Sequence, residues 1–163
     1  MPRPTWDEYF MNVMRVIRTR STCRGQAGAV IVRDHRILAT GYAGSITGQP
    51  HCDEVGHLLK KTVHEDGSTT EHCLRTVHAE LNAILNAARH GVPLDGATMY
   101  VSMTPCIHCT KAILQAGFKR VVVEKRYQAD TESIQFFAAA GVQLEILSNT
   151  LADYSTTAPA PET

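Results

Sequence analysis

The hydrophobic positions of the chain change from helical spacing to strand-like runs and predict an α/β domain. Apolar side chains recur at helical spacing over residues 5–20 and predict a first helix, with Thr5 as its N-cap. Two short β-rich runs follow, at 28–32 and 37–42, with a polar stretch between them. This pattern predicts a β-hairpin.

The second half of the chain alternates helical and strand patterns. The helices are predicted over 78–90, 106–115 and 131–140, and the strands over 99–102, 120–124 and 142–147. Strands that alternate with helices imply βαβ units, and consecutive βαβ units build a parallel half-sheet. We therefore expect this half of the chain to supply the parallel part of a sheet.

A polar segment separates the two halves. Residues 44–76 are rich in Gly, His, Thr, Asp and Glu, and we interpret them as a long functional insertion. A structureless loop of this length is unusual inside a compact domain, so we expect something to hold it in place. We predict one domain over 1–154, without internal repeats, and a disordered tail over 155–163.

The charge balance limits the classes of partner. Lys and Arg number 16, as do Asp and Glu, so the formal charge is zero. A neutral chain lacks the basic surface of a general nucleic-acid binder, although one or two arginines suffice to hold a small phosphorylated substrate. The start of the chain has no apolar signal-peptide core and no apolar run could span a bilayer, which predicts a cytoplasmic protein without membrane contact.

The most specific feature is His78-Ala79-Glu80, followed by Pro105-Cys106-Ile107-His108-Cys109. One imidazole and two thiolates can hold Zn²⁺ and leave a fourth position open, as catalytic zinc sites do. Cys106 and Cys109 are spaced i, i+3 and share one face of a helix, whose N-terminus favours thiolates. Glu80 is the acid of the motif and the predicted proton carrier. The alternative is a structural zinc closed by a fourth ligand such as His108.

This H-x-E and P-C-x-x-C pattern resembles that of the zinc-dependent deaminases. Beyond the motif, the chain resembles deoxycytidylate (dCMP) deaminases over about residues 5–147, and most closely the bacterial competence-operon type. The resemblance is carried by residues 6–11, 20–23, 28–32, 72–84 and 99–101. It implies a three-layer α/β/α cytidine-deaminase-like fold, with a mixed sheet of about five strands. It also implies hydrolysis of dCMP to dUMP and ammonia.

The resemblance further implies roles for the motif residues and for small molecules. His78, Cys106 and Cys109 match the ligands of one catalytic Zn²⁺, which supplies a hydroxide nucleophile, and Glu80 matches the proton shuttle. Members of this family are often homo-oligomers, hexamers or smaller. They are often activated by dCTP, which implies Mg²⁺–dCTP as an effector, and inhibited by dTTP.

The segment 41–45 resembles the glycine-rich substrate loop of the family, which implies that Ala43, Gly44 and Ser45 lie near the substrate. The usual residue at the position of Ala43 is Asn. Alanine cannot replace its hydrogen bond, a loss of about 0.5–1.5 kcal/mol. The chain is therefore a weaker dCMP deaminase, a deaminase of another nucleotide or base, or a variant altered at this residue.

Other substrate contacts are suggested by position alone. Tyr127 follows the 120–124 strand, where family members place an aromatic side chain near the base, and stacking on a base is one role for it. Capping of the core is the other. For the phosphate, the candidates are Arg24, Ser45 and Arg89.

A second group of cysteines and histidines is not needed for the first zinc. Some dCMP deaminases hold a second, structural zinc in the corresponding regions, and a closed site of four ligands would order the insertion. The chosen ligands are Cys23, Cys52, His72 and Cys73, with His51 and His57 as substitutes. The alternative is a set of reduced thiols and surface histidines.

Other readings of the motif differ in substrate or in class. Related deaminases act on tRNA adenosine, on guanine or on a riboflavin precursor. The neutral charge counts against tRNA, and the Cys- and His-rich insertion favours dCMP over all three. A non-catalytic zinc-binding scaffold is the remaining alternative, and the intact Glu80 argues against it.

Overall fold

The computed structural model describes residues 1–152, so the tail predicted over 155–163 lies outside the described residues. In chain order, its elements are α1 (Trp6–Arg18), β1 (Gly28–Arg33), β2 (Arg36–Tyr42), β3 (Gly44–Ser45), α2 (Cys52–Val55), β4 (Leu59–Val63), β5 (Thr69–Cys73), β6 (Thr76–Val77), α3 (Ala79–Arg89), β7 (Thr98–Met103), α4 (Ile107–Gln115), β8 (Arg120–Lys125), α5 (Thr131–Ala139) and β9 (Gln143–Ile146). The predicted helices and main-sheet strands are all present, with bounds that differ by one or two residues in most cases.

The main sheet has five strands in the order β2-β1-β7-β8-β9. Strand β1 is antiparallel to both β2 and β7, whereas β7, β8 and β9 run parallel to one another. The parallel half is the part that the βαβ pattern predicts, and the antiparallel half is the predicted hairpin. The mixed sheet confirms the α/β fold class.

Alternate residues of the central strands are buried against different layers. On β1, Ala29 and Ile31 join a core cluster with residues of α3, α4 and α5. Val30 and Val32 join a second cluster with Phe10, Met11 and Met14 of α1. Because successive side chains of a strand point to opposite faces, the sheet is covered on both sides. The result is three layers, with α1 on one face and the other long helices on the opposite face.

Polar contacts fix α1 at both of its ends. Its N-terminus has a capping box, in which the Glu8 amide donates to Thr5 Oγ1 at 3.2 Å and the Thr5 amide donates to Glu8 Oε2 at 2.7 Å. Asp7 accepts two hydrogen bonds from the Arg120 guanidinium, at 2.8 and 2.7 Å. Near the other end, Arg15 and Arg18 both pair with Glu124. The helix is thereby linked directly to β8.

The insertion at 44–76 contains short elements of its own. Strands β3 and β6 form one ribbon, and β4 and β5 form a separate hairpin. Helix α2 lies between β3 and β4 in sequence. Every residue of β4 is exposed, so the hairpin contributes little to the core. A two-stranded hairpin is marginally stable by itself, which means that other contacts must hold it.

No helix within residues 1–152 is both long enough and apolar enough to cross a bilayer.

Gly41 sets the distance between α3 and β2. A Cβ atom at this position would clash with the Ala79 carbonyl oxygen and the Ala83 nitrogen, which are backbone atoms of α3. We predict that Gly41→Ala lowers the free energy of unfolding by about 2–3 kcal/mol, because the backbone must move to relieve the overlap. Denaturant unfolding measures this. Gly44→Ala is the matched control, since the atoms nearest to its Cβ would belong to side chains, the Tyr42 ring and Thr22 Oγ1, rather than to the backbone. A loss as large in the control would contradict the argument.

Candidate metal centre and its pocket

Two helices begin at residues of the zinc motif. His78 is the N-cap of α3 and Cys106 is the N-cap of α4, and both have extended backbone conformations. The sequence pattern predicts both residues as the first residues of their helices. In the structure, each lies one residue before its helix. Cys109 lies on the first turn of α4, where it is fully buried. The two helix N-termini therefore meet at one place, as the motif predicts.

The three ligand atoms have the separations of a tetrahedral zinc site. His78 Nδ1 lies 3.5 Å from Cys106 Sγ and 3.5 Å from Cys109 Sγ. Tetrahedral bonds of about 2.3 Å to sulfur and 2.0–2.1 Å to nitrogen require a separation of about 3.6 Å between the two kinds of ligand. His108 is exposed and lies outside this group. The donor set fits one zinc ion with three protein ligands.

The ionisation of the cysteines is suited to a cation. The hydrogen bond that Cys106 accepts from the Cys109 thiol, together with its contact to His78, lowers the pKa of Cys106 to about 3. The same contact and burial raise the pKa of Cys109. The pair therefore holds one thiolate more readily than two, and binding of a metal by both sulfurs requires the loss of the remaining proton.

Glu80 lies beside the ligands in the first turn of α3. Its residue is only 5% exposed, and burial raises the pKa of its carboxyl group. A carboxyl group whose pKa lies closer to neutrality can both accept and return a proton, which general acid–base catalysis requires. Glu80 shares an open cavity with His78 and Cys106.

The cavity in front of these residues has a volume of about 670 Å³, within the range of about 300–1,000 Å³ of small-molecule sites. Ala43, Thr104 and Tyr127 line it together with residues of the metal motif. Residues 23–25, Lys61 of β4 and residues 69–73 of β5 line it as well. The predicted insertion is thus part of the pocket.

Some of the predicted substrate residues line the cavity in the structure, and others do not. Ala43, Tyr127 and Arg24 line the cavity, and the Arg24 guanidinium also donates to the Glu71 carbonyl oxygen at 2.9 Å. Gly44 and Ser45 are not among the lining residues, although Thr76, the partner of Ser45 in the β3–β6 ribbon, is one of them.

Arg89 is not brought to the cavity. It is the last residue of α3 and exposed, whereas Glu80 is in the first turn of the same helix. At 1.5 Å per residue, the two positions are about 14 Å apart along the helix axis. The length of α3 therefore places Arg89 away from the cavity, which corrects its prediction as a phosphate contact.

An ion pair fixes the segment that carries Tyr127. Asp130 is buried and accepts two hydrogen bonds from the Arg126 guanidinium, at 3.0 and 2.7 Å. The Arg126 amide also donates to the Thr150 carbonyl oxygen at 3.0 Å. Tyr127 itself is half-buried, and burial raises the pKa of its hydroxyl group. The aromatic ring is therefore held on a restrained loop at the cavity wall.

A second group of possible ligand atoms lies at the insertion. Cys52 Sγ is 3.6 Å from Cys73 Sγ, and Cys23 Sγ is 3.7 Å from His57 Nδ1. All four ligand atoms lie within 4.8 Å of one another. Tetrahedral zinc bonds require about 3.8 Å between two sulfurs and about 3.6 Å between sulfur and nitrogen. The sulfur separation is far longer than a disulfide bond of about 2.05 Å.

The fourth member of this group is His57 rather than His72. Successive residues of a strand point to opposite faces, so Cys73 and His72 on β5 cannot turn to the same ligand group. His72 Nε2 instead contacts Thr70 Oγ1 at 3.0 Å, and His51 Nδ1 contacts Thr22 Oγ1 at 2.9 Å. The alternation of strand residues was the signal in the sequence that could have excluded His72.

Comparison with known proteins gives a consistent set of relatives. The family model described as the cytidine and deoxycytidylate deaminase zinc-binding region matches residues 4–125. ComE operon protein 2 of Bacillus subtilis is 44% identical over 146 residues, which are 89% of this chain and 72% of that protein. The deoxycytidylate deaminase of Schizosaccharomyces pombe is 38% identical over 143 residues, 87% of this chain but only 44% of that enzyme.

Among solved structures, the dCMP deaminase from the cyanophage S-TIM5 in complex with dCMP and dUMP is similar with a TM-score of 0.71 and 30% sequence identity. The similarity covers 90% of this chain and 100% of that one.

The Asp130–Arg126 pair generates a pH-dependent prediction. The hydrogen bond from Arg126 lowers the pKa of Asp130 in the folded state. Its stabilisation is therefore complete above the unfolded pKa of about 3.9 and is lost as the pH falls through the lower folded value. We predict that Asp130→Asn lowers the free energy of unfolding at neutral pH by about 1–3 kcal/mol.

Urea unfolding from neutral pH down to about pH 3 measures how the difference between wild type and Asp130→Asn shrinks on the acid side. The control is Glu132→Gln, an exposed acid in the first turn of the same helix. A difference that grows as the pH falls would contradict the assigned ion pair.

Proposed function

The chain belongs to the cytidine and deoxycytidylate deaminase family, and from this premise we propose that it hydrolyses dCMP to dUMP and ammonia. The observation that carries the proposal is the set of three ligand atoms at zinc separations, with the buried Glu80 beside them in one cavity. Relatives named deoxycytidylate deaminase at 35–40% identity support dCMP as the substrate.

The proposed mechanism assigns each step of proton transfer to Glu80. Zinc held by His78, Cys106 and Cys109 would act as a Lewis acid that activates water at neutral pH. The Glu80 carboxylate takes a proton from the attacking water as the water oxygen bonds to the amino-bearing ring carbon, and it delivers that proton to the adjacent ring nitrogen. Glu80 then takes the second proton from the added hydroxyl group and passes it to the amino group. The carbon–nitrogen bond breaks, ammonia leaves and the carbonyl group of dUMP forms. One carboxylate can serve these successive transfers because the atoms lie within a few ångströms of one another.

The base is proposed to lie between the metal site and Tyr127. The half-buried aromatic ring borders the same cavity as Glu80, and stacking on a base contributes about 1–3 kcal/mol in other proteins. Thr104 and the 23–25 segment complete the surroundings of the cavity.

Ala43 is the residue that bears on substrate choice. It lines the cavity, and its backbone is held by hydrogen bonds to Ala27 and Thr22 at 2.9 and 3.3 Å. Its methyl group has no hydrogen bond to offer where the family has an amide, so the proposal includes weaker binding of dCMP. A changed nucleotide or base is the alternative that this position keeps open, and a panel of substrates distinguishes the two.

The proposal predicts the effect of removing the proton carrier. Glu80→Gln keeps the shape of the side chain but cannot cycle a proton, so turnover of dCMP should fall by roughly 100- to 10,000-fold. The zinc content should be unchanged, because Glu80 is outside the ligand group. Ammonia release from purified, zinc-loaded protein measures turnover, with dCMP, CMP, dCTP, deoxycytidine, cytosine and guanine as the panel.

Glu132→Gln is the matched control, since Glu132 is also an acid of a first helical turn but is exposed. Turnover of another member of the panel, with none of dCMP, would refute dCMP as the substrate. Absence of turnover with every substrate, in the presence of bound zinc, would favour the scaffold alternative.

We further propose that Cys23, Cys52, His57 and Cys73 bind a second, structural Zn²⁺. The proposal is supported by the separations of the ligand atoms and by the exposure of the β4–β5 hairpin, which needs other contacts for stability. A closed four-ligand site contributes directly to the folding free energy of the segments it joins.

The second site predicts the zinc content of two histidine variants. Wild type should hold two zinc ions per chain after dialysis against a mild chelator. His57→Ala should lose one and unfold at a lower temperature, because only three ligands remain. His72→Ala, the matched control on the same hairpin, should keep both. Metal analysis measures this; a single zinc in wild type, or loss from His72→Ala alone, would refute the assignment.

Three expectations from the family resemblance are also part of the proposal: a homo-oligomer, hexameric or smaller, a Mg²⁺–dCTP effector and a cytoplasmic location. The oligomer is supported by large apolar side chains exposed on the insertion, at Ile46, Val55, Leu58, Leu59, Val63 and Leu74. Light scattering with and without Mg²⁺–dCTP examines the first two expectations together.

A further inference from the structure

The residues that line the cavity come from two parts of the chain. Glu80, His78 and Tyr127 are the groups assigned to the base. Residues 23–25 and the β4–β5 hairpin line the same cavity. A base held at the metal motif leaves the phosphate of a nucleotide to the other lining residues.

The permanently positive side chains that line the cavity, within residues 1–152, are Arg24 and Lys61. Arg24 belongs to the 23–25 segment and Lys61 to β4. Neither forms an ion pair with an acid in the described part of the chain, although Glu71 lies opposite Lys61 across the hairpin and borders the same cavity. The segment and the hairpin together therefore bring two positive charges and one carboxylate to the cavity.

The positions of both side chains are determined by the chain around them. Arg24 follows Cys23 of the second ligand group, and one of its donors is used by the Glu71 carbonyl oxygen at 2.9 Å. A guanidinium has five N–H donors, so four are left for a phosphate. Lys61 is paired with Glu71, and Glu71 shares its face of β5 with Cys73, because residues two apart point the same way. Lys61 therefore shares the face of the hairpin that carries Cys73, and it lines the cavity.

We propose that Arg24 and Lys61 are specificity-determining residues that recognise the phosphate of the substrate and select a nucleoside monophosphate over the free nucleoside. This inference rests on the proposed function and adds the residues that recognise the substrate class. Arginine binds phosphate through two parallel hydrogen bonds, and lysine binds it as a point charge. His72 also borders the cavity, but its Nε2 atom contacts Thr70.

The test compares kcat/KM for dCMP with kcat/KM for deoxycytidine. In Arg24→Gln and in Lys61→Gln, the preference for dCMP should fall roughly 10- to 100-fold, as expected for one lost hydrogen bond to a charged group. The fall in kcat/KM should be larger for dCMP than for deoxycytidine. Lys60→Gln is the matched control, since Lys60 is the adjacent exposed lysine of the same strand but does not line the cavity.

Calorimetric binding of dUMP and of deoxyuridine gives a readout that does not depend on turnover. The variants should lose affinity for dUMP alone, with zinc content and unfolding temperature as in wild type. Lys61→Gln, on an exposed strand, keeps the test valid if Arg24→Gln disturbs the neighbouring ligand group.

An unchanged preference in the Arg24→Gln, Lys61→Gln double variant, with wild type active on dCMP, would overturn this inference alone. A wild type that does not deaminate dCMP would refute the proposed function, and the inference would fail with it.

Discussion

The close packing of α3 on β2 is the constraint on which the site depends. Gly41 allows the backbone of α3 to approach the strand at Ala79 and Ala83, both of which are fully buried. This contact fixes the first turn of α3, and with it His78 and Glu80 at the helix start. A helix held farther from the sheet would separate His78 from the two cysteines of α4. The geometry of three ligands therefore originates in a contact between backbones.

The insertion has a different source of stability. Its hairpin is exposed along all of β4 and lacks the runs of consecutive buried residues that hold β1, β7 and β8 in the core. The side chains of Cys23, Cys52, His57 and Cys73 lie together beside it, with their possible ligand atoms within 4.8 Å of one another. A metal bound by such a group would order a segment that has no hydrophobic core of its own. The insertion lines part of the cavity, so its order and the shape of the pocket are linked.

The cavity consequently joins two parts of the chain with separate physical origins. One group of lining residues lies at the N-termini of α3 and α4, where partial positive charge favours thiolates. The other group belongs to the insertion and to the segment before β1.

Much of the fold was predictable from local pattern. Thr5 caps α1 as expected, and the strands and helices after residue 78 are close to their predicted bounds. The grouping of His78, Cys106 and Cys109 was also predictable from the sequence, because their spacing constrains which side chains can reach one metal. Local periodicity and short motifs carry this information within a few residues.

Contacts between residues distant in sequence were decided by the tertiary structure. His57, rather than His72, completes the second group, because successive side chains of β5 point to opposite faces and His72 therefore points away from Cys73. Arg89 is excluded from the pocket by the length of α3, and Lys61 is brought to it by the path of the hairpin. The sequence by itself determined which chemical groups are present and which of them are close along the chain. Only the packing of the sheet, the helices and the insertion decided which groups share one cavity, because that depends on how the chain closes on itself.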